Sequence, residues 1–335
     1  MGNPPLIKVE DLKIYFSIRK GLFGPRLYVK AVDGVTVSID RGEVLTLLGE
    51  SGCGKTTLGK TIAGLYRPTA GRVLFMGKDV WKLPPREFME YRRSVQIVHQ
   101  DPYASLNPTK TVFQILSAPL KRWGIAYSRE ELIEKVSKLL ELVGLTPPED
   151  FIFKYPHQLS GGQRQRVVIA RAISVNPKLV VADEPITMID VSLRLGILDL
   201  MLELREKIGT AYLFITHDFG AARYFSAKGG GRIAVMYLGK IVEIGPAEDV
   251  IHYPQHPYTQ TLISAVPVPD PEESRKKKPI QLRSLDIPSP VNPPSGCRFH
   301  DRCPFYIEGV CDREEPPLVE ARPNHWVACW RVAKR

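Results

Sequence analysis

The chain has 335 residues, of which 44% are apolar, 24% charged and 9% aromatic. This composition excludes a disordered or fibrous protein and suffices for two domains, or for one large domain with an appendage. With 46 Lys and Arg against 36 Asp and Glu, the net charge is +10. Such a charge suits an anionic partner (a nucleotide, a nucleic acid or a membrane surface), and it suits a solvated basic surface equally well.

Apolar runs are short throughout the chain. None reaches the ~18 residues of a membrane-spanning helix, and residues 1–13 lack the pattern of a secretory signal. We therefore expect neither feature, and a cytosolic location. Five cysteines in such a chain argue against a disulfide framework.

The first predicted elements are strands. Apolar and polar residues alternate on both sides of a Gly- and Lys-containing segment at 19–26, which predicts antiparallel strands joined by an exposed loop. A nearly continuous apolar run at 44–48 then leads through a glycine-rich loop into a helical pattern at 55–65. The middle of the chain, about 101–170, is predicted to be a mostly helical subdomain, with Ser128 and Glu131 forming a capping box.

Residues 179–182 and 213–216 have the pattern of buried parallel strands, separated by a helix that Gly209 ends. This alternation predicts an α/β core. A terminal hairpin is expected around Gly239. Beyond Pro254 repeated prolines and a basic run predict a linker packed along the surface, so we expect two parts, residues 1–265 and 266–335.

A phosphate-binding pattern follows the apolar run at 44–48. Residues 49–57 match the P-loop pattern G-x-x-x-x-G-K-[ST] between a predicted strand and helix. Lys55 can balance the β- and γ-phosphate charge and the Thr56 hydroxyl can bind Mg²⁺. The absence of an N-K-x-D motif favours ATP over GTP. The candidate nucleotide-binding residues are Gly49, Ser51, Gly52, Cys53, Gly54, Lys55, Thr56 and Thr57.

Polar residues also follow two of the buried strands. Because the carboxyl ends of parallel strands meet at one edge of a sheet, Asp183 is predicted to lie beside the P-loop and hold Mg²⁺. Glu184 would then polarise the attacking water, and His217 would hydrogen-bond the γ-phosphate. A plain loop start for the two acids and a structural role for His217 are the alternatives.

A second helix start has the chemistry of a phosphate site. Ser160 and Gln163 form a capping box around Gly161 and Gly162, so a hydroxyl and free amides converge there. One nucleotide cannot easily use both helix starts if they lie far apart.

Taken in order, these motifs resemble the ATP-binding cassette of ABC transporters over about residues 5–265. The matching elements are Walker A at 49–56, the Q-loop Gln100, the signature at 159–163, the Walker B Asp183 with Glu184, and the switch His217. The resemblance implies an α/β P-loop NTPase fold, with a RecA-like core, an antiparallel β-subdomain, a helical subdomain and a small Cys-rich C-terminal extension.

The same resemblance implies a head-to-tail pair of cassettes. The signature of one then caps the ATP held by the other, which assigns Ser160, Gly161, Gly162 and Gln163 to the partner's nucleotide. It also implies that Gln100 joins Thr56 and Asp183 at Mg²⁺, and that an aromatic side chain stacks on adenine. Tyr15 is predicted for that role, with Phe16, Tyr28 and a plain core aromatic as alternatives.

Segments 100–108, 255–259 and 293–300 resemble the ATPases of oligopeptide and dipeptide importers, and 20–24 resembles the F-type member of their paired ATPases. The implied partners are a second, similar ATPase, two membrane-spanning permeases and an extracytoplasmic solute-binding protein, with this chain peripheral at the cytoplasmic face. Nickel and oligosaccharides remain alternative solutes. A soluble ABC ATPase acting on nucleic acid is the rival class, but the single cassette and the importer-like tail argue against it, so no nucleic-acid partner is expected.

Two segments depart from the family pattern. Residues 187–190 read Thr-Met-Ile-Asp where the family usually has Ser-Ala-Leu-Asp, and 229–231 are three glycines in place of Asp-Arg-Val. The first departure keeps a hydroxyl and an Asp in the loop that follows Walker B.

Four cysteines crowd the C-terminal end, at Cys297, Cys303, Cys311 and Cys329. A segment with few periodic apolar residues buries little core, so a metal staple is physically reasonable. Thiolates suit zinc or an iron–sulfur cluster, and the missing C-x₂-C knuckles argue against zinc. The resemblance also points to a [4Fe-4S] cluster. Zinc and metal-free buried thiols are the alternatives, with His300 and His325 as spare ligands.

Overall fold

Two β-sheets form the framework of the computed structural model, which describes residues 4–19, 25–266 and 280–333. The strands are β1 (Ile7–Arg19), β2 (Arg26–Ile39), β3 (Val44–Leu48), β4 (Ala70–Phe75), β5 (Lys78–Asp79), β6 (Val95–Val98), β7 (Leu179–Asp183), β8 (Ala211–Thr216), β9 (Arg232–Tyr237), β10 (Lys240–Pro246), β11 (Val319–Arg322) and β12 (His325–Val327). Their order is β2-β1-β4-β5 in one sheet and β11-β12-β10-β9-β3-β8-β7-β6 in the other.

The helices are α1 (Lys55–Ile62), α2 (Pro85–Ser94), α3 (Pro102–Ser105), α4 (Val112–Arg122), α5 (Arg129–Leu142), α6 (Glu149–Ile152), α7 (Gly161–Ile173), α8 (Val191–Ile208), α9 (Phe219–Lys228), α10 (Ala247–His252), α11 (Pro257–Ser264) and α12 (Trp330–Ala333). Short 3₁₀ turns lie at Val80–Lys82 and Pro156–Gln158. Within the described ranges, no helix is long and apolar enough to cross a bilayer.

The large sheet has a parallel centre. Strands β9, β3, β8, β7 and β6 run parallel in that order, and every residue of β3, β7 and β8 is buried, as expected for strands with both faces covered. The α/β core and the helical middle, α3–α7, are therefore as predicted. The β1–β2 pair is antiparallel, as predicted, and belongs to the separate small sheet; residues 20–24, where an exposed loop is predicted, lie outside the described ranges.

Close packing explains why three glycines occupy positions 229–231. They join α9 to β9, and the Gly230 φ of +59° favours glycine. A Cβ on Gly231 would lie 2.2 Å from the Val44 carbonyl oxygen, so no other residue fits there without moving β3. These glycines let α9 turn tightly into the sheet.

The described C-terminal residues form more secondary structure than the sequence pattern predicts. The β9–β10 hairpin is not terminal, because β12 pairs with β10 and β11 with β12, both antiparallel. The segment beyond Pro254 is not simply a surface linker, since it forms α11 and buries Tyr258 and Phe299. The basic run at 275–278 lies outside the described residues. The division of the chain at residue 265 stays a prediction.

Candidate nucleotide-binding site

The P-loop lies between β3 and α1, as the sequence predicts. Gly54 has a φ of +108°, and a Cβ at this position would lie 2.0 Å from the Ala31 carbonyl oxygen, so only glycine fits. The loop therefore closes tightly against β2. Its backbone leads directly into the first turn of α1, where unpaired amides attract phosphate.

Lys55 points back into this loop. Its side chain is buried, and its ammonium donates to the carbonyl oxygens of Gly49 at 2.7 Å and Glu50 at 2.9 Å. These bonds hold the cation in the middle of the loop. Burial raises the pKa of the neighbouring Cys53 thiol, which keeps it protonated and fits a small loop residue rather than a reactive thiol.

Thr56 and Asp183 meet at the edge of the sheet. The Thr56 hydroxyl donates to Asp183 Oδ1 at 2.9 Å, so the carboxyl end of β7 lies beside α1. Burial raises the pKa of the Asp183 carboxyl. A hydroxyl and a carboxyl oxygen side by side are the hard donors that suit Mg²⁺.

Glu184 is the centre of a second cluster. Gln100 Nε2 donates to its Oε2 at 2.9 Å, His217 Nδ1 lies 3.0 Å from its Oε1, and the Thr187 hydroxyl donates to Oε2 at 3.2 Å. The Glu184 backbone has a φ of +49°, a strained conformation for a residue with a side chain. Three neighbours therefore hold one carboxyl group in a fixed orientation. Sequence reasoning did not assign Thr187 to this cluster.

One cavity of about 540 Å³ joins the two clusters. Among the described residues it is lined by Phe16, Val29, Ala31, Ser51, Gly52, Gly54, Lys55, Thr56, Thr57, Gln100, Glu184, His217 and Pro290. Nine of the predicted site residues are thus brought together. Asp183 and Gly49 contact lining residues instead: Asp183 accepts a hydrogen bond from Thr56, and the Gly49 carbonyl oxygen accepts one from the Lys55 ammonium.

The signature turn lies elsewhere. Residues 160–163 are not among those that line the cavity in the described part of the chain. The predicted capping box is present: Gln163 N donates to the Ser160 hydroxyl at 3.3 Å, and Ser160 N donates to Gln163 Oε1 at 3.0 Å. The buried Arg164 stacks on Tyr103 of α3 at 3.8 Å, which connects the signature helix to the segment after Gln100.

Comparison with known proteins agrees with this arrangement. A family model described as ABC transporter matches residues 32–187, and one described as the C-terminal region of oligopeptide/dipeptide transporters matches 242–311. The chain is 46% identical over 326 residues to the oligopeptide transport ATP-binding protein AppF of Bacillus subtilis, covering 97% of this chain and 96% of AppF. It is 42% identical over 330 residues to OppF of Salmonella typhimurium, covering 98% and 96%.

The chain belongs to the ATP-binding subunits of oligopeptide/dipeptide ABC transporters. It is thus an ABC-type ATPase, and the predicted cassette fold is confirmed. The dimeric, post-hydrolysis cassette MJ0796 bound to ADP and Pi matches the subunit with a TM-score of 0.62 at 29% identity, covering 72% of this chain and 98% of that one.

Among the described residues, Phe16 and not Tyr15 lines the subunit's cavity. The β1–β2 register shifts between Ile14 and Tyr15, and such an irregularity changes which side chains share a face. The Tyr15 hydroxyl donates to Asp33, and burial together with Asp33 raises the pKa of Tyr15 to about 12. Phe16 lines the cavity and packs edge-on against Tyr66. Phe16 is therefore the better-placed candidate for stacking on adenine, a role that stays a prediction.

The four C-terminal cysteines converge in the subunit. Cys297, Cys303, Cys311 and Cys329 line one small cavity together with His256 and His300. Burial raises the pKa of Cys297 to about 12 and that of Cys303 to about 11. In residues 4–19, 25–266 and 280–333, no group of three or more His, Cys, Asp or Glu side chains is arranged as a metal site. His325 is not among the described residues that line this cavity, and its Nε2 lies 2.7 Å from Glu243 Oε1.

Proposed function

We propose that this ABC-type ATPase powers the uptake of oligopeptides or dipeptides. The observation that carries the proposal is the single cavity in which Lys55 and Thr56 of the P-loop face Glu184 and His217. The solute class follows from the names of the relatives AppF and OppF, and oligosaccharide or nickel uptake remains the alternative.

Each site residue has a separate role in the proposed hydrolysis of ATP. Lys55 and the amides at the start of α1 bind the β- and γ-phosphates. Thr56 and Asp183 would hold Mg²⁺ through oxygen ligands, with the Gln100 amide oxygen as a further candidate, and such an ion would supply charge to offset that of the phosphates. Glu184 accepts the proton of the attacking water, and His217 hydrogen-bonds the γ-phosphate.

A second cassette completes each nucleotide site in this proposal. The turn at 160–163 presents a hydroxyl and helix-start amides outside the subunit's own cavity. Such a turn suits the phosphate held by another subunit. We propose a second, similar ATPase chain as that partner, arranged head to tail with this one.

A basic groove supports docking to permeases at the cytoplasmic face of the membrane. It has a volume of about 1,110 Å³, and no Asp or Glu lines it in the described part of the chain. Its cations are Arg92, Lys110, Lys121, Arg122, Arg129 and Arg171. Arg171 donates to the Ser105 carbonyl oxygen at 2.6 Å, so the groove is continuous with the segment after Gln100. An acidic cytoplasmic helix of a permease fits this groove, and a separate solute-binding protein would deliver the peptide.

Reversing the charge of two groove residues tests whether the groove binds a permease. We expect the double substitution Lys121→Glu and Arg122→Glu to reduce permease recovery in pull-downs from detergent-solubilised membranes by about tenfold, because like charges would then face each other. ATP affinity should not change. Lys207→Glu on α8 is the control, since Lys207 lies outside the groove and pairs with exposed Glu203. Undiminished recovery contradicts the docking site, and recovery of nucleic acid without permeases favours the rival class.

We also propose that the four cysteines hold a [4Fe-4S] cluster, with zinc as the alternative. The support is the donor set: four thiols on one cavity and no disulfide among the described cysteines. Anaerobically purified protein should be brown, with broad absorption near about 400 nm and about four irons per chain. Cys311→Ser should lose this colour. Colourless protein with about one zinc supports the alternative, and protein with neither metal contradicts both.

A further inference from the structure

Two arginines between Cys297 and Cys303 reach from the C-terminal end to the nucleotide site. Arg302 Nη1 and Nη2 donate to the two carboxylate oxygens of Glu50, at 2.7 and 3.0 Å. Arg298 donates to the Asp33 carboxylate and to the Leu238 carbonyl oxygen. Glu50 lies within the P-loop, so a side chain 252 residues away in the sequence holds the phosphate-binding loop directly.

Glu50 is anchored on three sides. Its amide donates to the Tyr258 hydroxyl at 2.9 Å, its carbonyl oxygen accepts from the Lys55 ammonium at 2.9 Å, and its carboxylate accepts from Arg302. A shift of the Glu50 backbone therefore moves the P-loop amides and the cation that bind phosphate.

The Arg302 to Glu50 contact has the features of a strong pair. It is bidentate, which adds geometric specificity to charge. The Arg302 side chain is only 6% exposed and that of Glu50 25%, so water screens the pair weakly. Glu50 holds the pKa of the Arg302 guanidinium above its ordinary value.

The C-terminal segment also contacts the part of the cavity near Phe16, where the adenine base is expected to bind. Asp33 accepts from both Arg298 and the Tyr15 hydroxyl, so Arg298 is linked through Asp33 to the strand that carries Phe16. Lys30 N donates to the Pro290 carbonyl oxygen at 3.0 Å, and Pro290 itself lines the nucleotide cavity.

We propose that Arg302 is a positioning residue for ATP: by holding Glu50 it fixes the P-loop in its phosphate-binding geometry, so the cysteine-bearing C-terminal segment sets the affinity of the nucleotide site. The inference rests on the ATP site proposed above. It predicts an effect on ATP binding, with the chemical step largely unchanged, because neither Arg302 nor Glu50 contacts the Glu184 cluster.

Substitutions of the pair test the inference. In the full chain, Arg302→Met should weaken ATP binding, measured with a fluorescent ATP analogue, by about tenfold. The kcat of the assembled transporter at saturating ATP should change by less than about twofold. Arg302→Lys should restore part of the affinity, since Lys keeps the charge but not the two-pronged geometry. Glu50→Gln should behave like Arg302→Met, and the double variant should be no worse than either single one.

Arg232→Met is the matched control. It removes a similar pair, with Glu43 at 2.6 Å, at the amino end of the sheet and away from the P-loop, so it should leave ATP affinity unchanged. The positioning role would be overturned if ATP affinity were unchanged in both Arg302→Met and Glu50→Gln. It would also be overturned if the losses of ATP affinity added up in the double variant, or if kcat alone fell. If Arg302→Met does not fold, the near-isosteric Glu50→Gln decides alone. A wild-type chain that does not bind ATP would instead refute the proposed function.

Discussion

Glu184→Gln is expected to abolish ATP turnover while ATP binding is retained. Gln keeps the size of Glu184 but cannot accept a proton from the attacking water, and loss of a general base typically costs a factor of about 10²–10⁴ in kcat. Lys55 and Thr56, which bind phosphate and Mg²⁺, are untouched. Phosphate release by the transporter assembly and nucleotide binding to the purified chain measure the two effects separately.

Thr187→Val provides the graded control for this prediction. It removes the hydroxyl that donates to Glu184 at 3.2 Å and leaves the carboxylate in place. We expect kcat to fall by about fivefold, the equivalent of about 1 kcal/mol for one hydrogen bond, with ATP affinity unchanged. Near-normal phosphate release by Glu184→Gln would show that Glu184 has no role in the mechanism. An unchanged kcat in Thr187→Val would show that the hydrogen bond from Thr187 does not contribute to hydrolysis.

Glu243→Ala is expected to destabilise the C-terminal part of the fold by about 3–5 kcal/mol. Glu243 and His325 are fully buried, and the Glu243 carboxylate accepts from the amides of Gln255 at 2.7 Å and His256 at 3.0 Å. His325 Nε2 lies 2.7 Å from the same carboxylate. Truncation would leave these buried groups without a partner, which costs more than a surface contact would. The fluorescence of Trp326 in β12 reports unfolding in denaturant.

The control for this prediction is Glu248→Ala in α10. Glu248 also faces a histidine, His252 at 3.2 Å, but both side chains are more than half exposed. Exposed pairs contribute little, so the unfolding free energy should change by less than about 1 kcal/mol. If the two variants unfold at the same denaturant concentration, the buried carboxylate does not tie β12 to the sheet.

Local chemistry explains what the sequence predicts well. The P-loop was identifiable because its glycines, Lys55 and Thr56 are consecutive and lie between a buried strand and a helix. Capping boxes such as that of Ser128 and Glu131 are similarly local, and α5 begins where the box predicts. Asp183 and His217 were placed at the site by one general rule, that parallel strands end at a common edge.

Features that depend on distant contacts needed the tertiary structure. The residue pattern does not show which of the adjacent side chains Tyr15 and Phe16 faces the cavity, and the folded chain places Phe16 there, next to a register shift between Ile14 and Tyr15. β11 and β12 are too short to carry a clear alternation, and they exist because β10 offers a free edge. The contact from Arg302 to Glu50 spans 252 residues, and no local spacing encodes it. The amino-acid order thus determined the chemistry of the ATP site, while packing of the chain decided which distant side chains hold it in place.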